Sequence, residues 1–197
     1  MNYRCWKVGK IDETAAKRLC AEIGIPALTA KVLMARGTET AAAAAALLEQ
    51  EPELSDPFLM KDMDKAVERL HKAIDNGEKI VVFGDYDVDG VTSTALLFSH
   101  LMNLGANVRC MLPSREGDGY GLSMAAIDKL ARNQYKVIVT VDNGISAEHE
   151  IAYAAEKGID VIVTDHHLPP ENPPAAYAVV DAAQKEDTSP FKLLSGV

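Results

Sequence analysis

Three carboxylates alternate in the segment Phe83-Gly-Asp-Tyr-Asp-Val-Asp-Gly-Val-Thr-Ser93, at Asp85, Asp87 and Asp89. Like charges this close repel and raise one another's pKa values unless cations or hydrogen bonds stabilise them, and a divalent metal does this well. A second acidic point, Asp142, stands in Val141-Asp-Asn-Gly-Ile-Ser146, and a third is the triplet Asp165-His166-His167. Carboxylates supply hard oxygen donors and imidazole an uncharged nitrogen, a mixture that suits manganese better than magnesium while leaving magnesium feasible. Asp87, Asp89, Asp142 and His166 together have the ligands for two divalent ions about 3.5–4 Å apart, with Asp142 suited to bridge them. Such a pair activates water and neutralises a phosphorus-centred transition state, so hydrolysis of a phosphate ester or anhydride is the chemistry indicated. Neighbouring side chains rarely reach one metal without a bend. His167 is therefore the better candidate for a phosphate donor than for a second imidazole ligand, with a packed or solvent-facing histidine as the other reading. Asp165 either orients an imidazole or caps the loop.

Competing readings of the first segment are weaker. Counting from Asp85, the twelfth position of a calcium loop is Leu96 rather than Glu, and the flanks read as strand then helix. Asp89 or Thr92 is expected to cap the following helix, which is compatible with metal binding. Gly90 allows a sharp turn close to a ligand, but neither a GxGxxG pattern nor a Walker lysine accompanies it. A further loop, Pro113 to Leu122, carries Arg115 and Tyr120 among three glycines. Its guanidinium suits a phosphate and its phenol a base or the loop itself, with an ordinary flexible loop as the alternative.

These residues need strands to present them. Ile80 to Phe83, Asn107 to Leu112, Lys136 to Val141 and Asp160 to Thr164 read as buried strands, and Tyr177 to Val180 as a short fifth. Helices are predicted around Met63–Ile74 and over Thr92–Leu104, Ser123–Arg132 and Ser146–Lys157. The strands are β-branched throughout rather than alternating, as expected when helices cover both faces of a parallel sheet. The fold class is therefore α/β: a Rossmann-like, doubly wound, mainly parallel sheet. In such sheets the carboxyl ends of the strands form the ligand-binding edge. All three acidic points fall there.

Before this pattern, Thr14–Glu22, Pro26–Arg36 and Thr40–Gln50 read as three helices, and Pro52, Ser55, Asp56 and Pro57 mark a junction. The division expected is a helical section at 1–55 and the α/β domain at 56–197, the latter cut short at its C-terminal end. With 197 residues, the chain has room for one well-buried domain and a small appendage. Hydrophobic residues at 48% and charged residues at 25% exclude a disordered chain. A net charge of −9 argues against a uniformly basic nucleic-acid surface, although a local positive strip is compatible with it. Three cysteines without a paired spacing suggest neither a disulfide framework nor structural zinc. No apolar run is long enough to cross a membrane, so a cytoplasmic location is the expectation.

The three acidic segments, in this order, resemble the motifs of the DHH phosphoesterase superfamily, named for the triplet that stands here as Asp165-His166-His167. Within it the likeness is to single-strand-specific DNA exonucleases and extends over Asp56–Val67, Pro113–Leu122 and Ser189–Val197. The resemblance implies a manganese- or magnesium-dependent hydrolase that degrades single-stranded DNA from the 5′ end to mononucleotides in recombination and repair. It implies replication or repair proteins as further partners. By position, Asp87 and Asp89 would hold one ion each, Asp142 would bridge, His166 would complete part of the site, and His167 would contact the scissile phosphate. Asp85 would support them or add a ligand. The family's fourth acidic motif, expected some tens of residues after the histidine pair, has no counterpart here, and Asp181-Ala182 stands where Asn-Pro is usual. Oligoribonuclease, cyclic-dinucleotide phosphodiesterase and pyrophosphatase activities are the alternatives within the superfamily. A noncatalytic nucleic-acid-binding member is the alternative outside enzymes.

Overall fold

The computed structural model describes residues 10–48, 56–113, 121–190 and 194–196. Its chain divides into two compact units, Met1–Ser55 and Asp56–Val197. The first contains α1 (Glu13–Ile23), α2 (Ala27–Ala35) and α3 (Ala41–Leu48). Asp12 caps α1 by accepting from the Thr14 and Ala15 amides, and Gly24 ends it in the left-handed conformation. Leu19, Ala30 and Ala44 form its small buried core.

The second unit runs α4 (Met63–Asp75), β1 (Lys79–Phe83), α5 (Val88–Asn103), β2 (Asn107–Met111), α6 (Met124–Arg132), β3 (Tyr135–Val141), α7 (Glu148–Glu156), β4 (Asp160–Thr164) and β5 (Ala178–Val180). All neighbouring strands pair in parallel, in the order β2-β1-β3-β4-β5. Successive strand residues feed opposite faces. Val81, Phe83, Ile138 and Val163 pack on one face with Ile127 and Leu130 of α6 and Ile151 of α7. Ile80, Val82, Val139 and Ile162 pack on the other with Ala66 and Ala73 of α4 and Leu101 of α5. Burial on both faces is why the inner strands β1, β3 and β4 are apolar over most of their length.

The chain moves outward from β1 to β2 and then returns to the other side of β1 as β3. That reversal is a topological switch point, where the loops after β1 and β3 diverge and leave a crevice. The loop after β1 carries Asp85 and Asp87, and the residue directly after β3 is Asp142.

The helix after β1 begins at Val88, four residues before the expected Thr92. Neither Asp89 nor Thr92 is its cap. Asp87 is, with Oδ1 accepting from the Gly90 amide at 2.9 Å, while Thr92 donates back to the Val88 carbonyl. Gly90 permits this early start, since a Cβ there would lie 2.7 Å from backbone atoms of Asp85. Among the described residues, no helix is long and apolar enough to cross a membrane. The described cysteines, Cys20 and Cys110, form no disulfide.

Candidate metal centre

Four strands deliver an acidic residue to one edge. Asp85 follows β1 after a single glycine, and Asp142, Asp165 and Asp181 stand immediately after β3, β4 and β5. Because the strands are parallel, their carboxyl ends coincide, and residues far apart in sequence converge.

Asp85, Asp87 and Asp142 each bring a carboxylate oxygen within 4.8 Å of the others. Asp85 is buried, and its Oδ1 has no hydrogen-bond partner among the described residues. An unpaired carboxylate oxygen in such a place is costly unless a cation completes it. The donor set thus fits a divalent ion preferring oxygen ligands. Asp142 belongs also to a second group, with His166 and His167, whose ligand atoms lie within 4.8 Å of one another. Nε2 of His166 is 2.9 Å from Asp142 Oδ1 and 3.4 Å from Asp89 Oδ2. Asp142 is the residue common to both groups.

The start of α5 explains how the first motif divides. An extended backbone would turn Asp85, Asp87 and Asp89 to one side. Instead Asp87 caps the helix and Asp89 lies in its first turn. Asp85 and Asp87 therefore share a group with Asp142, while Asp89 approaches His166.

Asp142 is held in an unusual conformation for a non-glycine residue, with φ of 60°. The adjacent Asn143 fixes it: its side-chain Nδ2 donates to the carbonyls of Val141 and Phe83, tying the ends of β3 and β1 together. Gly144 follows with φ of 109°, where a Cβ would meet Thr140 Oγ1 at 2.5 Å. The left-handed backbone of Asp142 is strain stored beside candidate ligands, whereas Gly144 adopts its angle freely. Burial raises the Asp142 carboxyl above the ordinary carboxylate range; the His166 hydrogen bond opposes the rise, and the charges of Asp89 and Asp87 reinforce it.

Both carboxylate oxygens of Asp165 are hydrogen-bonded. Its Oδ1 accepts from the amides of His166 and His167, closing the turn, and its Oδ2 accepts from the Ile145 amide at 3.0 Å. Oδ1 also lies 2.7 Å from His167 Nδ1, orienting that ring with Nε2 on its far side. The hydrogen bond to Asp165 holds the His167 pKa above its ordinary value, against the opposing effect of burial. The two imidazole rings are 4.6 Å apart and inclined at 37°.

Asp181, which in the sequence stands out only as a departure from a family pattern, is a further strand-end acid. It is wholly buried, accepts from the Ala183 amide through Oδ1, and leaves Oδ2 without a partner among the described residues. Burial raises its pKa, and the charge of Asp165 adds to the rise. A signal exists, since Val-Val-Asp181 repeats the strand-then-aspartate pattern of Val141-Asp142 and Thr164-Asp165. Arg115 and Tyr120 lie outside the described residues. A cavity of about 410 Å³ opens beside His167 and Asp142, walled by Leu122, Asn143, Ile145 and Asp165. A second cavity, about 480 Å³ and largely apolar, lies between α4 and α5 and, among the described residues, has no carboxylate, lysine or arginine in its wall.

Residues 79–197 match the family model described as DHH family, N-terminal domain. The chain is 40% identical over 193 residues to the single-stranded-DNA-specific exonuclease RecJ of Bacillus subtilis, covering 98% of this chain and 25% of that protein. It thus spans about a quarter of that relative's length. Among solved structures, exonuclease RecJ bound to manganese superposes with a TM-score of 0.63 at 37% identity, over 69% of this chain and 35% of the other. RecJ from Thermus thermophilus in complex with Mn2+ gives a TM-score of 0.66 at 28% identity, over 92% of this chain and 25% of the other. The motif order, the parallel sheet and the match over more than half its length establish that this chain belongs to the DHH family, of which residues 79–197 form the N-terminal domain.

Proposed function

We propose that residues 56–197 are the metal-binding portion of a DHH-type 5′-to-3′ single-stranded-DNA exonuclease that hydrolyses phosphodiester bonds, with residues 1–55 as a helical section preceding it. The observation that carries this reading is the gathering of Asp85, Asp87 and Asp142 at the switch point, with Asp85 Oδ1 buried and unpartnered among the described residues. The relative's name and the manganese in the solved structures support the choice of substrate and metal.

In this reading Asp87 and Asp89 would each hold one Mn2+ or Mg2+ ion, Asp142 would be shared between the two, His166 would complete part of the site, and Asp85 would add a carboxylate. Divalent ions bound there would supply positive charge to the phosphate and lower the pKa of a water molecule for attack on phosphorus. The chain's own groups do the rest. Asp165 holds His167 by Nδ1 so that Nε2 is directed away from it, and the raised pKa keeps that ring protonated over more of the neutral range. His167 then donates a hydrogen bond to a phosphate oxygen. The cavity beside it gives a nucleotide room. Arg115 and Tyr120 engage the DNA strand by phosphate contact and base stacking. The protein acts in the cytoplasm, alongside replication or repair proteins.

The test is product analysis with the full-length protein, Mn2+, and 5′-labelled single-stranded DNA, short RNA and pyrophosphate as substrates. Release of mononucleotides from long DNA is expected. Turnover of pyrophosphate or dinucleotides alone would refute the assignment.

A further inference from the structure

Asp89 is anchored by a segment 107 residues downstream: the Gly196 amide donates to Asp89 Oδ2 at 2.9 Å. The same glycine is pressed against the site. A Cβ at position 196 would lie 2.7 Å from Ser93 Oγ, 3.0 Å from Asp142 Cβ and 3.1 Å from Asp89 Oδ1. Ser93 is itself buried and donates to the Asp89 carbonyl at 2.7 Å. The bare Cα therefore fills the angle between two proposed cation ligands, where no side chain has room.

We infer that Gly196 is a positioning residue for the metal centre, holding the Asp89 carboxylate in place through its N–H and, by lacking a side chain, letting Asp89 and Asp142 approach one another. The inference rests on the reading of Asp89 and Asp142 as cation ligands. The physical need is clear from charge alone. Two carboxylates on separate elements repel, and one in the first turn of a helix is free to rotate away. A backbone amide on one oxygen removes that freedom and offsets part of the charge. Groups that hold a metal's ligands typically matter about 10–100-fold in affinity.

The test is Mn2+ affinity of the 197-residue chain, read by electron paramagnetic resonance of the free and bound ion, with thermal unfolding followed in parallel. Gly196→Ala is expected to weaken binding about 10–100-fold. Removing the nearest obstructing atom in Ser93→Ala/Gly196→Ala is expected to restore part of the loss, since Asp142 Cβ at 3.0 Å and Asp89 Oδ1 at 3.1 Å still crowd the added methyl. Asp142→Asn is expected to abolish binding. Wild-type affinity in Gly196→Ala, with binding lost in Asp142→Asn, overturns the role of Gly196 and leaves the metal centre standing. Wild-type affinity in Asp142→Asn overturns the metal centre itself. Should Gly196→Ala fail to melt cooperatively, the double variant decides: a native melt with recovered affinity supports the inference, and a native melt without it refutes it.

Discussion

Replacing Asp165 by Asn tests how the histidine pair is held. The substitution preserves shape but leaves one acceptor oxygen where there were two. If that oxygen stays at the Oδ1 position, it still meets the amides of His166 and His167 and the His167 ring nitrogen. The new NH2 group then faces the Ile145 amide, donor against donor, at a contact of 3.0 Å. One hydrogen bond to a charged acceptor is lost and a buried N–H is left unpaired, which costs about 2–3 kcal/mol. For a domain of this size each kcal/mol moves the melting temperature by about 2–4 °C, so a fall of about 4–12 °C is expected. The second consequence concerns protons. In the wild type, hydrogen bonding to Asp165 raises the His167 pKa above its ordinary 6.5. The stabilisation from that pair is fully present below about pH 6.5 and disappears as pH rises through the raised folded value. In Asp165→Asn the His167 titration, followed by NMR of the imidazole carbons, should move down, and the stability gap from wild type should narrow on the alkaline side. A variant that melts within about 1 °C of wild type, or a His167 titration that does not move, would refute the reasoning.

Other outcomes are equally specific. Gly90→Ala places a Cβ 2.7 Å from the Asp85 backbone, which cannot yield as a side chain would, so stability should fall by about 2–3 kcal/mol in urea titrations, with weakened Mn2+ binding. Arg69 is buried and bonds Asp160 at 2.6 Å and Glu78 at 2.8 Å; Arg69→Ala should cost about 3 kcal/mol, near the lower end for a broken buried pair because Asp160 is half exposed, and Arg69→Met should cost less. Since burial raises the Asp142 pKa, protons should weaken Mn2+ binding as pH falls through that raised value, earlier than for an unperturbed aspartate; calorimetric titrations across pH check this.

Much of the fold is legible because a two-sided parallel sheet writes itself as continuous β-branched runs, and Ile80–Phe83, Lys136–Val141 and Asp160–Thr164 have no polar face to confuse the pattern. The position of the site follows from the same property, since the acids at 85, 142 and 165 each come directly or almost directly after such a run. What the pattern cannot show is set by local contacts. The start of α5 depends on an Asp87 cap and on how closely Gly90 approaches Asp85, neither of which has a periodicity. The placement of Asp85 and Asp87 with Asp142, and of Asp89 near His166, follows from that start. Asp181 is harder to recognise because β5, though readable as a strand, is only three residues long and stands apart from the regular alternation of strand and helix. The link from Gly196 to Asp89 joins positions 107 residues apart through a backbone amide, and a backbone amide leaves no mark on residue type.

The central claim is that the acids at the switch point hold divalent cations, and anomalous diffraction at the manganese edge from Mn2+-soaked crystals tests it most directly. A peak in ligating contact with Asp142, and with Asp85 or Asp87, is the result expected. A fully soaked crystal with no peak at that edge, or with manganese bound only elsewhere on the chain, would contradict it.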